Sequence, residues 1–182
     1  FKGHLVKDFL KISYPKKKFT FVKIKNFSGK NSGLGLSLLK CKKYLQEPFV
    51  FIACDTIVKE KILPPIKNWV AYSNHILKSK NFRRCLVKNN SLLNLVEKNS
   101  KFLKNQYPYI GLCGIKDYKD FWKALGGDKK FRFLAGESYA IQEMLKSLKF
   151  FCKKYTWFDM GNLETYQKTK KFFERNNEYN IL

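Results

Sequence analysis

The chain is 182 residues long, 45% hydrophobic and 16% aromatic, enough apolar material for one packed domain and too much for a disordered basic tail. No run approaches the roughly 20 apolar residues of a membrane-spanning helix. The formal charge of +23 comes from 37 basic and 14 acidic residues, but among the basic ones only Arg83, Arg84, Arg132 and Arg175 are arginines. Phosphate and base recognition favours the bidentate guanidinium fork. The lysines are spread along the chain and accompany many Asn, Phe and Ile, as an AT-rich coding sequence gives, so a nucleic acid is not the expected principal partner.

In chain order, Leu5, Val6, Phe9 and Leu10 recur at helical spacing over Lys2 to Leu10, and Pro15 closes that segment. Phe19 to Ile24 alternates like a strand. Asn26 to Gly33 is a loop, with Asn31 or Ser32 as cap of a helix carrying Leu34, Leu38, Cys41 and Leu45. Phe49 to Cys54 is a continuous apolar run stopping at Asp55, which reads as a strand buried on both faces. Strand, helix and strand in this order predict a βαβ unit and a partly parallel sheet.

Pro64-Pro65 breaks the chain. Shorter strands are expected at Val70 to Tyr72, Phe82 to Val87 and Leu92 to Val96, with Asn89-Asn90 as the turn between the last two. Tyr109 to Ile115 is another apolar strand. Tyr118 to Leu125 is a helix stopped by Gly126-Gly127. A longer helix over Gly136 to Phe151, a short strand over Tyr155 to Phe158 and a final helix over Leu163 to Phe173 complete the reading.

Five cysteines, Cys41, Cys54, Cys85, Cys113 and Cys152, include no C-x-x-C pair and read as reduced, buried thiols. His4 and His75 have no metal-ligand spacing to each other or to the cysteines, so no zinc site is expected. Asp55 and Asp159 each follow a predicted strand. Either is a strand-end cap or, together, they hold a hard cation such as Mg²⁺ where open α/β sheets bind ligands. Ser28 to Gly35 is a plain loop or an anion-friendly approach to a helix N-terminus. Glu97-Lys98 is a solvated charge pair or an acid and base at a strand end. Arg83-Arg84 either grips an anion or lines a surface.

Taken in order, these pieces resemble the nucleotidyltransferase family of sugar-phosphate and phosphocholine pyrophosphorylases, over nearly the whole chain. Gly29 with Asn31-Ser32-Gly33-Leu34-Gly35 looks like the family's base-contacting loop, and Pro48 to Asp55 like its strand ending in a metal-binding Asp. Leu95 to Lys98 resembles L-x-E-K, and Tyr109 to Ile115 with Phe121-Trp122 the following strand and helix. The most specific element is Trp157-Phe158-Asp159-Met160-Gly161-Asn162 with Tyr166, similar to W-x-D-x-G-x-x-x-x-Y. Cys54 stands where Gly is usual, no Pro follows Lys98, and the opening strand with its G-G-x-G-x-R loop is absent.

The resemblance implies a Rossmann-like, three-layer α/β fold with a mixed, mostly parallel sheet. Over residues 1–182 this would be a nucleotidyltransferase domain lacking its N-terminal strand and Gly-rich loop, inactive as it stands, with a further domain after 182 left open. It implies Mg²⁺ on Asp55 and Asp159, and Lys98 on the acceptor phosphate. Glu97 would orient a hydroxyl or the loop. Gly29, Ser32, Gly33 and Gly35 would lie against the nucleotide base, and Gly111 would leave room for the acceptor. The implied partners are an NTP and a phosphorylated small molecule, with no specific nucleic acid and no membrane. The implied setting is cytoplasmic synthesis of cell-surface polysaccharide or lipid precursors. A nucleotide-sugar glycosyltransferase would share the architecture but carry D-x-D, and Asp55-Thr56-Ile57 lacks the second acid. A non-catalytic regulatory subunit would have lost the metal ligands, and both Asp are present.

Overall fold

The computed structural model describes residues 2–25, 28–29, 32–74, 82–101, 104–127 and 136–175. Eight strands are present among them: β1 (Phe49–Ile52), β2 (Thr56–Val58), β3 (Trp69–Tyr72), β4 (Arg84–Lys88), β5 (Ser91–Val96), β6 (Gln106–Ile115), β7 (Phe151–Lys154) and β8 (Trp157–Asp159). The helices are α1 (Gly3–Ser13), α2 (Leu34–Cys41) with a 3-10 turn at Lys42–Tyr44, α3 (Tyr118–Gly126), α4 (Glu137–Met144) and α5 (Leu163–Arg175). Among the described residues no helix is long and apolar enough to cross a membrane.

Six strands form one sheet in the order β1-β6-β3-β7-β5-β4, and β4 pairs back onto β6. Five of them therefore close on themselves, and β1 stands outside as an edge. Strand β3 lies at the centre because it is apolar on both sides. Val70 enters the larger core cluster with Cys113, Ile115, Phe121 and Ile141, while Trp69 and Ala71 enter a smaller one with Leu112, Tyr155 and Trp157. That split follows the two-residue period of a strand. All three of these β3 residues are fully buried.

The mixed α/β character agrees with the sequence, but the expected mostly parallel sheet is not found. Among the described pairings only β3 with β7 is parallel. The expected strand over Phe19 to Ile24 is absent, since among the described residues no strand pairs with it, and Phe19 and Phe21 stay exposed. The first βαβ unit therefore does not form. The Asn89-Asn90 turn does form, with positive φ of 49° and 58°, and folds β4 onto β5.

Three local expectations change. Strand β1 is an edge among the described strands; Phe49 and Phe51 pack on one core cluster and Val50 on the other, as a doubly covered strand requires, but its last residue, Ile52, is 44% exposed. Helix α4 stops at Met144 instead of running to Phe151, because Phe150 and Phe151 are recruited into the sheet. The Phe151 amide donates to the Asn68 carbonyl, and the Phe150 carbonyl accepts from Leu92. The cap position of α2 is Gly33 without a side-chain bond, since the Ser32 hydroxyl donates to the Gly29 carbonyl; Asn31 and His75 lie outside the described residues. Cys85, Cys113 and Cys152 are buried as expected, and burial pushes their thiols upward, but Cys54 is exposed and Cys41 half-buried.

Candidate active site

The turn that carries Asp55 is fixed by an irregularity in its neighbour. The register of β6 against β3 slips between Val70 and Tyr72, and Gly111 sits there with φ of +68°. The slip turns two β6 carbonyls toward the Asp55 turn. Gly111 O accepts from the Ala53 amide at 2.8 Å, and Ile110 O from the Thr56 hydroxyl at 2.6 Å. A Cβ on Gly111 would lie 2.8 Å from the Ala53 Cβ. The space this glycine leaves is thus filled by Ala53, although Gly111 also lines the cleft.

Asp159 reaches the same place along a different route. Strands β2 and β8 pair antiparallel with Thr56 opposite Asp159, and the Met160 amide donates to the Asp55 carbonyl at 2.8 Å. The far end of this ladder is clamped by the Glu60 carboxylate, which accepts from the Thr156 amide and hydroxyl. The two carboxylates converge on Gly161. Its amide donates to Asp159 Oδ1 at 3.0 Å. A Cβ there would stand 3.1 Å from Asp159 Oδ1 and 3.3 Å from Asp55 Oδ2. Residues 104 apart in sequence thus present hard oxygen donors to one point, as a divalent cation sharing its shell with phosphate oxygens requires. Among the described residues no group of three His, Cys, Asp or Glu side chains gathers anywhere.

A cleft of about 190 Å³ opens beside this pair, lined by Asp55, Asp159, Gly111, Arg83, Lys98 and Glu137 with Thr56, Phe82, Tyr109 and Trp157. Asp55, Asp159, Lys98 and Gly111 are therefore brought together. Glu97 stands at its margin, where its carboxylate accepts from Arg83 Nε at 3.0 and 3.1 Å. Gly29, Ser32, Gly33 and Gly35 do not line it. Their helix comes near, since a Cβ on Gly136 would stand 2.7 Å from Leu34, and Gly136 precedes Glu137.

The inner wall carries residues to which the sequence assigned no site role. Tyr109, Glu137 and Trp157 are 5–6% exposed, yet Tyr109 Oη, Glu137 Oε2 and Trp157 Nε1 each lack a hydrogen bond of ordinary geometry. Three such atoms on one cleft mark a demand for polar partners. Gly136-Glu137 at a helix start was a visible sign, but burial of that carboxyl depends on tertiary packing.

Burial raises the Glu137 carboxyl above its ordinary value, opposed by its own amide, the Tyr109 hydroxyl and the Arg83 guanidinium. The native state therefore keeps this proton at pH values where the unfolded chain has lost it. The associated stability is complete below the unfolded carboxyl range of about 4.3 and declines as pH rises through the folded value. Glu137→Gln should accordingly gain stability relative to wild type as pH climbs from about 4 toward 7. Urea unfolding at several pH values checks this, and a constant difference between the two proteins would contradict it.

No family model matches the sequence, and none of the curated proteins matches it significantly. Solved structures do. A Bacillus anthracis protein described as a glucose-1-phosphate thymidylyltransferase, in complex with sucrose, superposes with a TM-score of 0.76 at 16% identity, over 94% of this chain and 71% of that one. A UDP-glucose pyrophosphorylase complexed with UDP-glucose gives 0.68 at 17%, over 95% and 73%. The inositol-1-phosphate CTP transferase of T. maritima gives 0.55 at 13%, over 78% and 63%. The chain has the fold of the sugar-phosphate nucleotidyltransferases.

Proposed function

We propose that this protein transfers a nucleotidyl group from an NTP to a phosphorylated small-molecule acceptor and releases pyrophosphate. The observation that carries the reading is the convergence of Asp55 and Asp159 at Gly161 with Lys98 on the same cleft. The fold shared with solved nucleotidyltransferases supports it. Two carboxylates suit Mg²⁺, which commonly completes its shell with water and substrate phosphates. When bound, Mg²⁺ supplies neutralisation of the charge that develops around the α-phosphate.

The chain's own residues do the rest by position. Lys98 meets the acceptor phosphate, and Glu97, held by Arg83, orients the acceptor or the turn. Tyr109, Glu137 and Trp157 form the wall against which the remainder of the acceptor rests. Gly29 and the segment Ser32 to Gly35 approach the base. An ionised oxygen of the acceptor phosphate attacks the α-phosphorus as the α–β bridging bond breaks. Pyrophosphate leaves with that electron pair, so no protein nucleophile or base is needed.

The triphosphate also needs amide donors. We place the strand and glycine-rich loop that would supply them on the open side of β1, next to the exposed Ile52. A strand parallel to β1 there would move the sheet toward the Rossmann-like arrangement. The proposed use of an NTP, with five cysteines all present as free thiols, favours a cytoplasmic setting, and there we propose that the product enters cell-envelope precursor synthesis.

A pyrophosphate-release screen of CTP, UTP, dTTP and GTP against phosphorylated sugars, polyols and phosphocholine tests the reading, and acceptor-independent release alone would count against it. Lys98→Ala should lower kcat/KM for the acceptor by roughly 10- to 10²-fold, the loss of one charge-assisted contact, with the NTP KM unchanged. An unchanged acceptor response would return Lys98 to the solvated surface.

A further inference from the structure

Arg83 and Arg84 are adjacent, and each reaches the Glu97–Lys101 turn from its own side. Arg83 Nε donates to both oxygens of Glu97, the residue before Lys98. Arg84 is fully buried at the start of β4. Its Nε donates to Gln106 Oε1 at 2.9 Å, and its Nη2 to the carbonyls of Ser100 at 2.9 Å and Lys101 at 3.4 Å, just beyond Lys98. Lys98 thus stands between two anchorages supplied by one dipeptide. The turn between them holds Asn99 at φ of +62° and belongs to no helix or strand.

A fully buried guanidinium is expensive to desolvate, and an apolar residue at such a strand position commonly stabilises a fold as well or better. What the guanidinium adds is a planar fork that fixes main-chain carbonyls in direction as well as distance. We propose that Arg83 and Arg84 are positioning residues that brace the Lys98 turn and so set the affinity for the acceptor phosphate. This rests on the reading of Lys98 as the cation that meets that phosphate. Arg84 touches no substrate, and its effect runs through Lys98.

The test compares Arg84→Lys, Arg84→Gln, Arg83→Lys and Arg83→Gln in the full chain, each alone and combined with Lys98→Ala. Amide hydrogen exchange over 97–101 should quicken in each folded variant. With Lys98 present, kcat/KM for the acceptor should fall by up to about 10²-fold while the NTP KM holds, as expected when a reacting group is displaced by about 1 Å. In the Lys98→Ala background the same arginine changes should cost little more, because the residue they position is gone.

Unchanged exchange over 97–101 in a folded variant would overturn the bracing. Arginine effects of equal size with and without Lys98, or an NTP KM that rises with the acceptor KM, would overturn the positioning role. If Lys98→Ala alone leaves the acceptor response intact, the functional reading of Lys98 fails, and exchange still decides whether the turn is braced. Should the Arg84 variants not fold, the half-buried Arg83 variants carry the same comparison.

Discussion

Asp55→Asn and Asp159→Asn are each expected to lower nucleotidyl transfer by about 10³-fold or more while leaving the fold intact. The expectation follows from where the two side chains stand. Asp55 is exposed at the end of a pinned turn and Asp159 is half-buried. Neither carboxylate supports the core, so the amide in place of the acid should be tolerated structurally. Both present an oxygen to the space beside Gly161, where an amide removes the negative charge that a divalent cation requires. The two losses should not add, because half a ligand pair is already a failed site. Steady-state turnover with circular dichroism on the two single variants and the double variant decides the matter. Full turnover in either single variant would remove the carboxylate pair from the mechanism.

Gly114→Ala should lower stability markedly for so small a change. Gly114 sits in β6 opposite Val50 of β1 and Trp69 of β3. An added Cβ would fall 2.1 Å from Trp69 Nε1 and 2.4 Å from its Cε2. Trp69 has no exposed surface, and its indole N–H already donates to the Pro64 carbonyl at 3.2 Å. The ring must shift in a closed core or the strands must part. Overpacking of this kind costs about 1–3 kcal/mol or somewhat more. For a domain of this length that corresponds to a fall in Tm of roughly 2–4 °C for each kcal/mol. Thermal unfolding checks it. A variant as stable as wild type would mean that the Trp69 ring has room to move.

Much of the site was legible because its chemistry sits at strand ends. An apolar run that stops at an acid is a local signal, and Phe49 to Asp55 and Trp157 to Asp159 both carried it. The pairing of β2 with β8, which brings Asp55 and Asp159 together, was not local. It depends on the β6 irregularity at Gly111 and on backbone bonds from Ala53, Thr56 and Met160. The inner wall was hidden for the same reason. Tyr109 looked like one more apolar strand residue, Glu137 like one more residue of the helix begun at Gly136, and Trp157 like part of a motif. Only packing shows that each lines the cleft while burying a polar atom.

The misread elements have a common cause as well. Phe19 to Ile24 alternates correctly, yet a strand exists only where another backbone accepts its hydrogen bonds. The pattern over Gly136 to Phe151 suits a helix throughout, but the amides of Phe151 and Cys152 donate to the main-chain carbonyls of Asn68 and Asn90, and the sheet takes them. The Arg83-Arg84 dipeptide gave two alternatives, and each arginine took a different course. Arg83 reaches a carboxylate at the cleft, and Arg84 is buried against main-chain carbonyls.

In the proposed reaction the Asp55, Asp159 and Lys98 cleft joins an NTP's α-phosphate to an acceptor's phosphate. Following the label from an NTP marked at the α-phosphorus, and in parallel from one marked at the γ-phosphorus, tests it most directly. The α label should appear in the acceptor product and the γ label in pyrophosphate, and Asp159→Asn should lower both by about 10³-fold or more. Transfer of the γ label to the acceptor, or α-label transfer undiminished in Asp159→Asn, would contradict it.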